Sequence, residues 1–176
     1  VGLIEGMRRL PADQRDRLSL VVAGPPGWRN ADIHDQLRRA ADELSICQVG
    51  CVSRDDLNVL YSFAEVFAYP SLSEGFGLPV VEAMACGVPC VVTDAGGSAE
   101  LVGDEGRIVP VGDADALANS IGSLLELSPD DRGRVGAEAR ARIIEHFSLD
   151  GMVAQYERVW DEVLAGTPEN VVRRAA

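Results

Sequence analysis

Short apolar runs alternate with helical patterns along most of this chain, and the last third is helical throughout. Residues 1–10 read as a helix, and residues 18–23 (LSLVVA) as a continuous apolar strand ended by Gly24. Residues 30–44 predict a second helix, 46–49 a short strand, and 53–63 a third helix with Ser53 as N-cap. Further strands are expected at 66–69, 89–93 and 107–109, separated by a helix over 79–85 and a short helical stretch over 99–102. Asp113 is expected to cap a helix over 114–127, Ser128 with Pro129 to open one reaching His146, and Ser148 to start an amphipathic one ending at Leu164. Residues 167–176 read as a tail after a single domain over 1–166. Strands alternating with helices predict βαβ units, hence an α/β fold: a Rossmann-like parallel sheet covered by helices on both faces, with a helical C-terminus.

Ligands of such sheets bind beyond the carboxyl ends of the strands. Loops rich in glycine and proline follow the expected strands at 24–27, 50–53, 71–77 and 94–98, so they are expected to share one rim. The stretch over 70–89, PSLSEGFGLPVVEAMACGVP, is the most specific. It places Glu74 in a Gly-Phe-Gly loop and Glu82 about one turn into the following helix, with Pro79 suited to the first helical turn. Unpaired N–H groups and the positive end of the helix dipole attract phosphate there, while Gly75 and Gly77 let the backbone approach a ligand closely. Glu74 is placed to accept from one set of hydroxyls and Glu82 from a second set across the phosphates, an arrangement suited to a sugar on one side and a ribose on the other. Taken singly, each acid reads as an ordinary solvated side chain.

Composition leaves this picture intact and narrows the classes. The 176 residues are 47% hydrophobic and 25% charged, ordinary globular usage. A formal net charge of −12 argues against a nucleic-acid surface but not against a small anion site built from backbone N–H groups. No run is long enough for a membrane span and no secretory signal pattern opens the chain. Cys47, Cys51, Cys86 and Cys90 form two C-x3-C pairs in apolar contexts, read as packing residues rather than metal ligands. His34 and His146 lie on charged helical stretches and are read as exposed.

The segments GFGLP between Glu74 and Glu82, EAMACGVPCVVTDAGGSAELV and GRIVPVGDADALANSI, in this order, resemble the carboxyl-terminal donor-binding half of a retaining GT-B glycosyltransferase of group 1 (family 4). The likeness runs from VVAGPPGW at Val21 to FSLDGMVAQYERVW ending at Trp160. It implies transfer of a hexose from a nucleoside-diphosphate sugar to an acceptor hydroxyl. Glu74 becomes the catalytic-site acid, contacting donor-sugar hydroxyls. The N–H groups of Phe76, Gly77 and Leu78 meet sugar and diphosphate, with Gly75 in the same loop. Glu82 holds the ribose hydroxyls, the backbone of Cys51 and Val52 borders the base, and Gly24 belongs to the donor site. No metal or cofactor is implied, because in such enzymes helix dipole, amides and basic side chains stabilise the departing diphosphate. The GPPGW run resembles members that use GDP-mannose; Trp28 reads equally as a packing residue.

The same resemblance marks departures. Family members carry a strand and a basic Arg and Lys pair ahead of the helix that opens this chain, and an entire amino-terminal acceptor domain before that. A gap is therefore expected in the sheet between LSLVVA and VFAY, open to strand capture or a strand-exchanged dimer. The isolated chain is expected to be catalytically silent, with Val153, Tyr156 and Trp160 exposed where a partner domain would pack. A cytoplasmic location is expected, at the cytoplasmic face of a membrane through the missing domain. Two other classes stay open: a non-catalytic nucleotide or nucleotide-sugar binding module, and an epimerase-like sugar-nucleotide enzyme, for which no acid/base residue stands near the Glu74 loop.

Overall fold

The computed structural model describes residues 2–25 and 31–165. The expectations for Pro26, Gly27, Trp28, Asn30 and the 167–176 tail lie outside the described residues. The strand and helix order follows the apolar pattern closely. Helix α1 (Gly2–Arg9) is followed by a single turn, α2 (Ala12–Arg15), then β1 (Leu20–Ala23), α3 (Ala31–Ala40), β2 (Ile46–Gly50), α4 (Arg54–Phe63), β3 (Phe67–Tyr69), α5 (Leu78–Ala85) and β4 (Cys90–Thr93). After these come α6 (Gly97–Val102), a 3₁₀ turn (Gly103–Glu105), β5 (Arg107–Val109), α7 (Ala114–Leu125), α8 (Pro129–His146) and α9 (Leu149–Leu164).

Four helix starts close as the cap residues predict. Ser53, Asp113, Ser128 and Ser148 each accept a hydrogen bond from the backbone N–H three residues on, each worth about 1 kcal/mol. Three details differ from the sequence pattern. Helix α3 stops at Ala40 rather than 44, because the chain turns to bury Leu44 against Ile4, Met7, Leu37 and Ala40 before entering β2. Helix α2 is too polar to carry an apolar period, and is held by the Pro11 carbonyl accepting from the N–H groups of Gln14 and Arg15. Helix α6 begins at Gly97, two residues before the first periodic position.

Among the described residues all strand pairs are parallel. Strand β4 is central, and alternation along it sends side chains to opposite faces. Cys90 and Val92 pack with Val80, Met84 and Leu101 on one side, together with Ala139 and Ile143 of α8. Val91 packs with Val109, Leu117, Ile121 and Leu124 on the other. The sheet is thus covered on both faces, as a doubly wound fold requires.

Hydrogen bonding divides the strands into a β1-β2 pair and a β3-β4-β5 trio. Among the described residues no ladder joins β1 to β3, so each keeps one unpaired edge where the sequence predicts a gap. Burial follows this division: every residue of β4 is buried, whereas those of β3 are only half-buried. Helix α9 buries none of its residues. Val153, Tyr156 and Trp160 are exposed as expected, and Leu149, Met152 and Val159 extend the apolar stripe. Among the described residues no helix is long and apolar enough to cross a membrane.

Candidate functional site

The link from β3 to α5 carries the chemistry. Gly77 is the N-cap of α5 with φ of 96°, a left-handed conformation, and Pro79 sits in the first turn as its fixed φ favours. The Gly77 carbonyl accepts from the N–H groups of Val80 and Val81 at 2.9 and 3.3 Å. Among the described residues, the N–H groups of Phe76, Gly77 and Leu78 donate to no backbone carbonyl. Those of Gly77 and Leu78 are donors left over by the helix start, that of Phe76 precedes it, and Phe76 and Leu78 are exposed. Ser98 lies against the inner side of this turn. Its Oγ is fully buried without a hydrogen-bond partner, 3.5 Å from where a side chain on Gly77 would begin.

Each of the two expected carboxylates is held by a tyrosine. Tyr69, the last residue of β3, donates its hydroxyl to Glu74 Oε2 at 2.6 Å, and the Gly75 N–H donates to Glu74 Oε1 at 3.1 Å. Tyr61, on α4, donates to Glu82 Oε2 at 3.2 Å. Glu74 is half-buried and Glu82 exposed. The loop is tied to the sheet by Thr93 Oγ1 donating to the Ser71 carbonyl at 2.5 Å. It also lies on α6: a Cβ on Gly97 would stand 2.7 Å from the Gly75 carbonyl oxygen and 3.0 Å from Phe76 Cα. Arg142 of α8 grips the far end of α6, donating to the carbonyls of Leu101 and Glu100, both at 2.8 Å. Tyr61, Tyr69, Ser98 and Arg142 are absent from the sequence-based site. Tyr69 alone had a usable signal, a polar-tipped aromatic at the carboxyl end of a strand.

Gly24 and Gly50 end neighbouring strands, and the Gly24 N–H donates to the Gly50 carbonyl at 2.8 Å. Cys51 follows exposed and Val52 half-buried. Among the described residues no hydrogen bond or ion pair joins Gly24, Cys51 or Val52, which follow β1 and β2, to the Glu74 loop, which follows β3. Two hollows of about 290 and 220 Å³ lie elsewhere, one beside Arg8 and Arg39 and the other beside Gln14 and Glu126, and neither touches Glu74 or Glu82. Cys47 and Cys51 are exposed and Cys90 buried. His34 Nδ1 lies 3.1 Å from Gln48 Oε1.

Burial, reinforced by the hydrogen bond to Glu74 and its charge, pushes the Tyr69 phenol up from 10 to about 12. Burial and then the Glu82 charge raise Tyr61 well above its ordinary value. Burial alone pushes the Cys90 thiol up to about 12. All three therefore bind their protons more tightly when folded. For Tyr69 and Cys90 the stabilising contribution is complete below the ordinary values of 10 and 9 and is lost as pH climbs through about 12, and Tyr61 acts in the same direction. The urea midpoint should fall steadily between about pH 9 and about pH 12. Tyr69→Phe should make that fall shallower; an identical slope in the variant would contradict the assignment.

Comparison with known proteins places this geometry. The family model for glycosyl transferases group 1 matches residues 1–142. The chain is 39% identical over 139 residues to an O-antigen chain mannosyltransferase B of Escherichia coli, covering 79% of this chain and 36% of that protein. It is 32% identical over 179 residues to a D-inositol 3-phosphate glycosyltransferase of Mycolicibacterium smegmatis, covering 98% of this chain and 40% of the relative. The chain thus spans well under half the length of these curated relatives. Among solved structures, HepE of Anabaena with UDP and glucose superposes with a TM-score of 0.77 at 26% identity, over 92% of this chain and 44% of HepE. The sucrose-phosphate synthase of Thermosynechococcus elongatus gives 0.76 at 28% identity, over 94% and 43%. With a matching family model over most of its length and the GT-B fold of its structural neighbours, this chain belongs to the group 1 glycosyl transferases.

Proposed function

We propose that this chain is the donor-binding half of a retaining glycosyltransferase that moves a hexose from a nucleoside-diphosphate sugar to an acceptor hydroxyl. The observation that carries the reading is the pair of tyrosine-held carboxylates, Glu74 and Glu82, set on either side of the open N–H groups at the start of α5. The diphosphate lies against the N–H groups of Phe76, Gly77 and Leu78, where the helix dipole and fixed amides favour the negative charge that develops as the sugar departs. No metal is needed for that step. Glu74 accepts from sugar hydroxyls and Glu82 from the ribose, while the rim at Gly24, Cys51 and Val52 borders the base. Mannosyltransferase names among the relatives, in Escherichia coli and in Mycolicibacterium hassiacum, favour GDP-mannose as donor. The acceptor side belongs to a second domain, and the 176-residue chain alone is catalytically silent. The reading also carries a cytoplasmic location.

Calorimetric titration with UDP, GDP and ADP, without added metal, tests this directly. One nucleotide should bind. Glu82→Ala should weaken it by about 1–3 kcal/mol, the range for a lost charge-assisted hydrogen bond. Glu74→Ala should spare the free nucleotide and weaken only its sugar-bearing form. Equal nucleotide affinity in wild type and Glu82→Ala would remove Glu82 from the site, and loss of both ligands in Glu74→Ala would mean that the loop, not the carboxylate, had been disturbed.

A further inference from the structure

We infer that Tyr69 is a positioning residue that presets the Glu74 carboxylate for the donor sugar, at one end of an aromatic row whose other end, Tyr61, does the same for Glu82. The inference rests on the donor-site reading above and assigns its sugar selectivity to a phenol that does not itself carry charge. Glu74 stands in a glycine loop, where a free carboxylate side chain would lose rotamer freedom on binding. The Tyr69 hydroxyl on Oε2 at 2.6 Å and the Gly75 N–H on Oε1 at 3.1 Å engage both oxygens from two directions. That fixes the plane of the carboxylate. An ionised carboxylate offers about four acceptor positions, so roughly one per oxygen stays open to sugar hydroxyls.

The row explains why the tyrosine itself does not move. Tyr69 and Phe67 are two residues apart on β3 and so share a face of the strand. Their rings stack with centroids 6.0 Å apart at 20°, and Phe67 meets Tyr61 edge to face at 5.5 Å and 80°. Tyr61 is buried on α4 and its hydroxyl reaches Glu82 at 3.2 Å. Three packed rings therefore connect the carboxylates on the two sides of the α5 start. Both are referenced, through this row, to β3 rather than to the loop alone.

Tyr69→Phe removes one oxygen and keeps the ring packing, so the row survives the substitution. In the full-length protein, calorimetry with UDP and UDP-glucose, and with GDP and GDP-mannose, gives the gain in affinity that the sugar contributes. For the pair that binds, Tyr69→Phe should leave the free nucleotide within about twofold and weaken the sugar nucleotide about tenfold, the effect of one hydrogen bond to a charged group. In a Glu74→Ala background the same substitution should add less than about twofold, because the group it positions is gone. A ring needed merely for stability would weaken both ligands alike and would do so in either background, which would overturn the inference. If Glu74→Ala abolishes the sugar's gain while Tyr69→Phe leaves it intact, the donor-site reading survives and the role of Tyr69 is refuted. If neither pair binds, or Glu74→Ala leaves the gain unchanged, the donor-site reading falls and takes this inference with it.

Discussion

Gly96→Ala is expected to cost about 4 kcal/mol of stability and to abolish sugar-nucleotide binding at whatever temperature the variant remains folded. Gly96 is the N-cap of α6, with φ of 66° and ψ of −133°. A side chain in that region carries about 1–3 kcal/mol of strain. The space is also taken: a Cβ built there runs into the Glu74 carbonyl oxygen, a backbone atom that no rotamer change can clear. Relief requires residues 74–76 to lift away from α6, at an overpacking cost of a further 1–3 kcal/mol or so. Lifting them displaces the Glu74 carboxylate from Tyr69 and the Phe76 and Gly77 amides from their present aim. Stability and ligand binding should therefore fail together. Urea unfolding and calorimetry on the same variant check this, and a midpoint unchanged from wild type would show that α6 and the loop are not in the contact described.

How much of this was legible depended on how local the cause was. The start of α5 was read correctly because Pro79, the glycines and the acids all act within about two turns of chain. The four side-chain caps were legible for the same reason. Strand β4 announced itself as an unbroken apolar run, and the structure buries it on both faces. The break between β1 and β3 was expected from family resemblance, since neither strand's composition reveals which neighbour it has. The tyrosine contacts were not foreseen. Tyr61 reaches Glu82 across 21 positions of sequence, and nothing in YSFAEVF distinguishes a ring that holds a carboxylate from one that fills a core; Tyr69 alone was marked, by its place at the carboxyl end of a strand. The early start of α6 was missed because Gly96 and Gly97 have the composition of a loop. Their contact with the Glu74 backbone makes glycine necessary there, and that contact exists only once the fold has formed.

Arg142 is the residue whose importance the sequence concealed most, and Arg142→Ala is expected to cost about 3 kcal/mol. In the run ARARIIEH it reads as one of several arginines on a solvated helix face. In the fold its side chain is only 21% exposed and its guanidinium serves four partners. Nε and one terminal nitrogen donate to the carbonyls of Leu101 and Glu100, the other terminal nitrogen lies 3.5 Å from Glu105, and the group stands 5.8 Å from the centre of the Phe147 ring. Helix α6 is six residues long, so the carbonyls at its carboxyl end have few intrahelical donors to satisfy them. A planar fork meets two of them at once and opposes the negative end of the helix dipole. Truncation leaves those carbonyls and a half-buried Glu105 without it. Arg142→Lys should recover less than half of the loss, because an ammonium cannot reproduce the fork. The consequence reaches the ligand site by a short route, since the other end of α6 lies beneath residues 74–76 and Phe147 meets Phe76 with ring centres 6.2 Å apart. Urea midpoints for wild type, Arg142→Lys and Arg142→Ala should therefore fall in that order, with donor affinity following the same ranking. Equal midpoints in wild type and Arg142→Ala would show that α6 holds its position without the arginine.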